Sequence, residues 1–452
     1  MWWTADDTVR VLAPSEQRFV RHATYTGRSV LVEGKLDIAV MRSAFGALVR
    51  THPILACRIG EDAAGTGHLL RPAGHAVGAW VRAGDTATVR LPDEALDPSV
   101  QLAYLDVVTE GTRARVTLYA HHAVADAGHC VALLARLWDR YTDEVSGSAN
   151  DTAPHDYPRP LEWYAARHGI PRSAVSGLEA ASRPMAHAPM LPPDPATPAP
   201  AALARPERTI LEPEATARIV ELGRRHGVTV NGLITAALLR AYAEIASVQG
   251  DSSPSPSRSR AATPRESNTD ERGPGDSGAG DSVQLRCVYP VDMRARLNPP
   301  VAAADGTNMA GLAAFAADVT TATDIVELAQ RISARLRHDL AEGIVQQSVL
   351  HFPEFFGPTA IRSLAGHIAV TNTGRVPRFR TPPGLALTDY EIVYLSAHPR
   401  PSAGPSAAIT FLVYTFADRL CVGVLGGGPL AARLPDAVAR ALAELVAVSI
   451  GA

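Results

Sequence analysis

The sequence predicts an α/β protein organised as two domains. Three observations carry that expectation. Strand-like and helix-like patterns take turns along residues 1 to about 185. The chain has 452 residues, more than one core usually holds. A proline-rich stretch at 188–206 interrupts it and suits a stiff, extended connection. The expected organisation is residues 1–187 as an N-terminal domain, 188–206 as a linker and 207–452 as a C-terminal domain.

Each element has a local reason. Ser29-Val30-Leu31-Val32 reads as a strand, and Asp37 is placed to cap the helix after it, with Val40, Met41, Phe45 and Leu48 at helical spacing. Thr51-His52-Pro53 ends that helix and returns the chain to an extended path, because proline disfavours helix in the residue before it. Arg115 to Ala120 is a further strand. Gly128 to Tyr141 is a helix with Val131, Leu134, Leu137 and Trp138 on one face. In the second half, Glu214 to about His226 is a helix and Thr229 to Leu239 starts a largely apolar one. Residues 248–282 hold almost no apolar side chains, so they are expected to form a disordered insertion. Val283 to Pro290 resumes as a strand, and Pro435 to about Val448 closes the chain as a helix.

Composition narrows the function. A hydrophobic share of 46%, a charged share of 20% and a formal net charge of −3 describe a globular protein with no basic field for nucleic acid or an anionic membrane. No apolar run is long enough to span a bilayer and no secretory leader is visible. The four cysteines form no closely spaced pair and read as buried thiols, so a cytoplasmic location is expected.

The chemistry concentrates in His121-His122-Ala123-Val124-Ala125-Asp126, between a strand and a helix. An imidazole presented in a turn at a strand end is a candidate general base. Adjacent histidines on a strand end point to opposite sides and rarely chelate one ion, so no metal is expected. No Gly-x-Ser-x-Gly elbow offers a serine nucleophile, and Cys130 packs as a small apolar residue on the following helix. Asp126 could orient a histidine, close an ion pair or sit solvated at a helix start.

The HHxxxD motif resembles that of the condensation-domain and chloramphenicol-acetyltransferase-like superfamily, and most closely the polyketide-associated acyltransferases that include the phthiocerol/phthiodiolone dimycocerosyl transferases. Thr51 to Leu55, Val228 to Leu239, Tyr289 to Arg294, Thr307-Asn308-Met309 and Gly343 to Phe352 are similar to further family landmarks. The resemblance implies an α+β sandwich of two chloramphenicol-acetyltransferase-like domains, each a mixed sheet with flanking helices, around a central tunnel. It implies His122 as the general base of an O-acyltransferase that makes no acyl-enzyme. The donor would be an acyl thioester on coenzyme A or an acyl carrier protein, the acceptor a hydroxyl of a polyketide or lipid. No permanently bound cofactor and a monomer are expected.

The resemblance also favours an ion pair between Asp126 and Arg294 and leaves His121 to fix the turn. Val370 to Pro377 is similar to an element near the family's tunnel, which makes Thr371 or Asn372 a candidate donor to the oxyanion, set against a plain strand ending in a turn. Ala127 stands where the family usually has glycine; a requirement for positive φ or for open space there would make it a source of strain. An amide-forming condensation enzyme and a degenerate carrier-protein-binding domain are the alternatives. The Asp-Phe-Gly-Trp-Gly stretch of amide-forming condensation domains is missing, which favours a stand-alone transferase.

Overall fold

The structure is a computed structural model that describes residues 3–74, 76–148, 152–184, 200–250, 282–356, 362–364, 367–398 and 407–451. Two six-stranded sheets organise it. Their strands, in chain order, are β1 (Thr24–Glu33), β2 (Trp80–Ala83), β3 (Ala103–Glu110), β4 (Arg113–His121), β5 (Ala202–Ala204) and β6 (Glu207–Ile210). They continue with β7 (Val283–Asp292), β8 (Ala310–Val319), β9 (His367–Arg375), β10 (Ala386–Ser396), β11 (Ala407–Phe416) and β12 (Arg419–Gly426). The first sheet runs β2-β3-β4-β1-β10-β5 and the second β6-β12-β11-β9-β7-β8. Both are mixed: β2 lies parallel to β3, and β9 lies parallel to β7 and β11, while the other pairings are antiparallel.

The longer helices are α1 (Ile38–Thr51), α2 (Ala127–Val145), α3 (Pro213–His226), α4 (Val230–Gly250), α5 (Ile325–Ala341) and α6 (Leu434–Gly451). Asp37 starts α1, its carboxylate accepting from the amides of Ala39 and Val40. Met41, Ala44, Phe45 and Leu48 bury the inner stripe against α2 and the first sheet. The helix stops at Thr51, but Pro53–Ala56 then makes a 3₁₀ turn where the sequence reading expected extended chain. Proline at the first position of such a turn loses no hydrogen bond, because that amide would be unpaired anyway. In the second half α4 packs against both α5 and α6, so its apolar residues face neighbours on several sides.

The two halves of the sequence are not two separate halves in space. Strand β10, from the second half, inserts beside β1 in the first sheet, with Tyr390 opposite Val30 and Tyr394 opposite Thr26. Its Tyr390 and Ile392 join the core under α1 and α2, while Val393 and Leu395 join Tyr25 and Tyr119 on the other face. The boundaries drawn at 187 and 207 therefore follow the chain and not the sheets. Ala202–Ala204, expected within the linker, forms an edge strand on β10. Most of the 188–206 linker, and residues 251–281 of the insertion expected at 248–282, lie outside the described residues.

A buried charge cluster fastens β10 in place. Glu391 is fully buried and its carboxylate meets Arg205 by a short hydrogen bond, with Arg208 at 3.7 Å and Arg115 at 3.9 Å. Asp389 takes Arg208 at 2.8 Å and Arg115 at 3.3 Å. Removing one member of such a set leaves charge uncompensated in the interior. Glu391→Ala is expected to destabilise the protein by about 3 kcal/mol. Denaturant unfolding measures the loss, and faster limited proteolysis on either side of β10 should accompany it.

Candidate active site

Strand β4 is buried from Ala114 to His121, so its pairing with β1 is firmly registered, Tyr25 opposite His121. The His122 amide donates to the Thr24 carbonyl (2.7 Å), and the chain then turns, Val124 donating back to His121 (3.0 Å). The two imidazoles meet different surroundings. His121 stands edge-on to Tyr25, its ring centroid 5.0 Å away, and lines a cleft of about 370 Å³ with Ile59, Asp97 and His398. Its Nδ1 accepts from the Ala123 amide at 3.2 Å, which ties the ring to the turn. His122 instead stacks on Phe19, with centroids 3.8 Å apart and planes within 8°, and has Tyr394 of β10 nearly parallel at 5.9 Å.

His122 lies deep in the protein, yet part of its surface stays accessible. Its Nδ1 is buried without a hydrogen-bond partner. Burial pushes the imidazole down to about 3, and the charges of Arg18 and Arg28 act in the same direction. His121 is also pushed down to about 3, chiefly by burial. Aromatic packing surrounds His122. Phe19 lies flat on the ring, and Arg18 in turn lies over the rings of Phe19, Phe356 and Phe352 at 4.5, 5.1 and 5.6 Å.

Asp126 caps α2, its Oδ1 accepting from the His129 amide at 2.9 Å. Its Oδ2 accepts from Arg294 Nη1 at 2.8 Å and from the Met309 amide at 2.9 Å. Burial alone would raise this carboxyl; the Arg294 charge and these hydrogen bonds outweigh it and hold the group below the usual carboxylate range. Arg294, just past the end of β7, also reaches Asp292 at 3.2 Å and the Thr307 carbonyl at 3.2 Å. Asn308 closes the arrangement: its Nδ2 donates to the carbonyls of both His122 and Ala123 at 2.8 Å. The turn that carries the histidines is thus held by three residues from the second half of the chain.

Ala127 is the first residue of α2 and is not among the described residues with positive φ, so its replacement of glycine strains nothing. A Cβ at Gly128 would meet Arg294 at 3.5 Å, an ordinary contact. Thr371 and Asn372 sit on β9 in the second sheet. The Asn372 amide donates to Asn231 Oδ1 at 3.0 Å and its oxygen accepts from Gly374 at 2.8 Å, so its hydrogen bonds go to its own lobe. Cys130 is buried with its thiol pushed up to about 11, which leaves no thiolate at neutral pH.

Sequence reasoning assigned no role to Phe19, Arg18, Tyr394 or Asn308. Only Asn308 carried a signal, as part of the singled-out Thr307-Asn308-Met309. Because the Asp126–Arg294 pair is buried, each single truncation strands the other charge. Asp126→Ala and Arg294→Ala are each expected to cost about 3–5 kcal/mol, and the double variant clearly less than their sum. A double-mutant cycle read by urea unfolding tests this; additive costs would mean that the pair is not coupled.

A family model described as the phthiocerol/phthiodiolone dimycocerosyl transferase C-terminus matches residues 200–255 and 271–425. A phthiocerol/phthiodiolone dimycocerosyl transferase from Mycobacterium sp. (strain JLS) is 34% identical over 93% of this chain and 91% of its own length. The enzyme of the same name from Mycobacterium tuberculosis (strain ATCC 25618 / H37Rv) is 32% identical over 84% of this chain and 85% of its own. Among solved structures, polyketide synthase associated protein 5 from Mycobacterium tuberculosis aligns with a TM-score of 0.74 at 27% identity, covering 97% of this chain and 98% of that one. A trichothecene 15-O-acetyltransferase from Fusarium sporotrichioides shares the fold, with a TM-score of 0.61 at 12% identity, covering 98% of this chain and 97% of that one. A relative above 30% identity across nearly the whole chain settles the family: this protein belongs to the phthiocerol/phthiodiolone dimycocerosyl transferases, a family of acyltransferases.

Proposed function

We propose that the protein transfers an acyl group from a thioester, on coenzyme A or an acyl carrier protein, to a hydroxyl of a lipid or polyketide-like acceptor, with His122 as general base. The observation that carries this reading is the place of His122: deep in the protein yet partly accessible, at a strand end, with its backbone clamped by Asn308 and Thr24.

The proton and electron bookkeeping is simple. The acceptor hydroxyl attacks the thioester carbonyl as the neutral imidazole takes its proton. The tetrahedral oxyanion then expels the thiolate, which regains that proton from the imidazolium. No acyl-enzyme is needed. Asp126, spent on Arg294, Met309 and the cap of α2, orients the loop and does not touch the ring. A base at about 3 is weak on its own. The oxyanion formed beside it would stabilise the imidazolium, so the proton transfer becomes favourable only along the reaction path. Phe19 covers a face of the ring, while the acceptor hydroxyl has to approach in the ring plane, along the lone pair of a ring nitrogen.

His122→Ala is expected to lower ester formation from acyl thioesters by about 10²–10⁴-fold with the fold intact. Mass spectrometry over a thioester panel, with circular dichroism as the folding control, measures it; unchanged turnover would end the assignment. The buried histidines also set an acid response. Their folded values lie below the unfolded value of 6.5, so the unfolded chain takes protons first as pH falls. Stability should therefore decline from about pH 6.5 downward, and His122→Ala should flatten part of that slope in unfolding curves recorded between pH 7 and 4.

A further inference from the structure

Arg28 projects from the middle of β1, between Leu118 of β4 and Ile392 of β10, on the face that carries Thr26 and Tyr394. Its side chain is 1% exposed. Among the described residues no carboxylate forms a salt bridge with it. Nη1 donates to Thr26 Oγ1 at 2.5 Å and to the Gly27 carbonyl at 3.3 Å, while Nε is buried without a partner. The groups that act on it electrostatically are Tyr390, Cys130 and Tyr394 and, more weakly, the carboxylate of Asp126, which is already taken by Arg294. The other deeply buried arginine of this sheet, Arg115, has two carboxylates. A lone buried guanidinium is costly, so it is kept where something supplies the missing negative charge.

Position says where that charge would come from. The bond to Thr26 folds the guanidinium back towards the end of β1 where the Thr24 carbonyl holds the His122 amide. Thr24 and Thr26 are two residues apart, roughly 7 Å along the strand. An anion on Arg28 would thus sit a few bonds from the atoms reacting at His122. That distance is too short for the phosphate of a phosphopantetheine arm, which lies many bonds from its thioester. The orphaned Tyr390 hydroxyl lies in the same neighbourhood, its own ionisation affected by Arg28.

We infer that Arg28 is a specificity residue that binds a carboxylate on one of the two substrates, carried close to the reacting thioester or the reacting hydroxyl. The inference rests on the reading of His122 as the reaction centre, and it narrows the substrates to a pair of which one member is anionic near its reactive end. The carboxylate pairs with the free edge of the guanidinium, Nε and Nη2, while Thr26 holds Nη1.

The test uses matched probes on the full chain: succinyl-CoA against butyryl-CoA for the donor, and β-hydroxyoctanoate against its methyl ester for the acceptor. Calorimetric titration compares wild type, Arg28→Met and Arg28→Lys. In one arm the carboxylate-bearing member should bind at least about tenfold tighter to the wild type. Arg28→Met should erase that gap and Arg28→Lys should keep part of it. The thermal midpoint of the empty Arg28→Met protein should hold or rise, because an unpaired buried charge has been replaced by an apolar chain of similar length. Equal binding in both arms, a gap that survives Arg28→Met, or a clear fall in its midpoint would overturn the inference and leave Arg28 a structural residue. His122→Ala, run in parallel, separates the two readings: it should keep the binding gap while losing ester formation. Ester formation that survives His122→Ala overturns the base alone.

Discussion

The ion pair between Asp126 and Arg294 is the constraint on which the site depends. It joins the N-terminus of α2 to the end of β7, so it joins the two halves of the chain at the point where the histidine turn begins. A buried pair of this kind adds little net stability compared with apolar packing, because both charges lose their water. What it adds is geometry. A carboxylate that must satisfy an amide at its own helix start, an amide of Met309 and a guanidinium at once has one workable position. Asn308, next to Met309, then fixes the carbonyls of His122 and Ala123. The imidazole is placed by a chain of hydrogen bonds that begins in the other lobe.

Strand exchange supports the same end. Because β10 crosses into the first sheet, Tyr394 comes from the second half of the chain and still lies beside His122. The cluster of Glu391, Asp389, Arg115, Arg205 and Arg208 holds that strand with charges from both halves. A relative shift of the lobes would have to break this cluster and the Asp126 pair together. Phe19 covers a face of the His122 ring from a short turn after the four-residue helix Pro14–Gln17, under Arg18.

How much of this the sequence reveals follows from the range of the interactions. Helix starts are local, so Asp37 and Asp126 could be read as caps from their neighbours alone. The strand before His121 shows in its β-branched and aromatic residues. The crossing of β10 does not show, since a strand buried on both faces looks alike in either sheet. Nor does the Phe19 stack, which depends on a turn roughly a hundred residues away in sequence. The partners of Asn372 do not show in the sequence either: its hydrogen bonds go to Asn231, about 140 residues away, and to Gly374. Arg294 could be named only through family resemblance, because nothing local distinguishes it from Arg296.

On the reading proposed above, the electrostatics around His122 favour an anion in the site. Arg18 and Arg28 both bear on the ring, and neither forms a salt bridge with an acid among the described residues. In the empty protein burial is the main reason the ring is pushed so far below its ordinary value, and their charges add to the cost of a protonated imidazole. On the proposed reading, the same charges become favourable once an oxyanion or a carboxylate stands beside the ring, because its field offsets theirs and lets the ring accept a proton. On that reading, basicity at His122 belongs to the loaded site and not to the empty one. The proposed base would then stay idle until a correctly charged partner arrives, with the cost of two poorly compensated guanidiniums borne by the free protein.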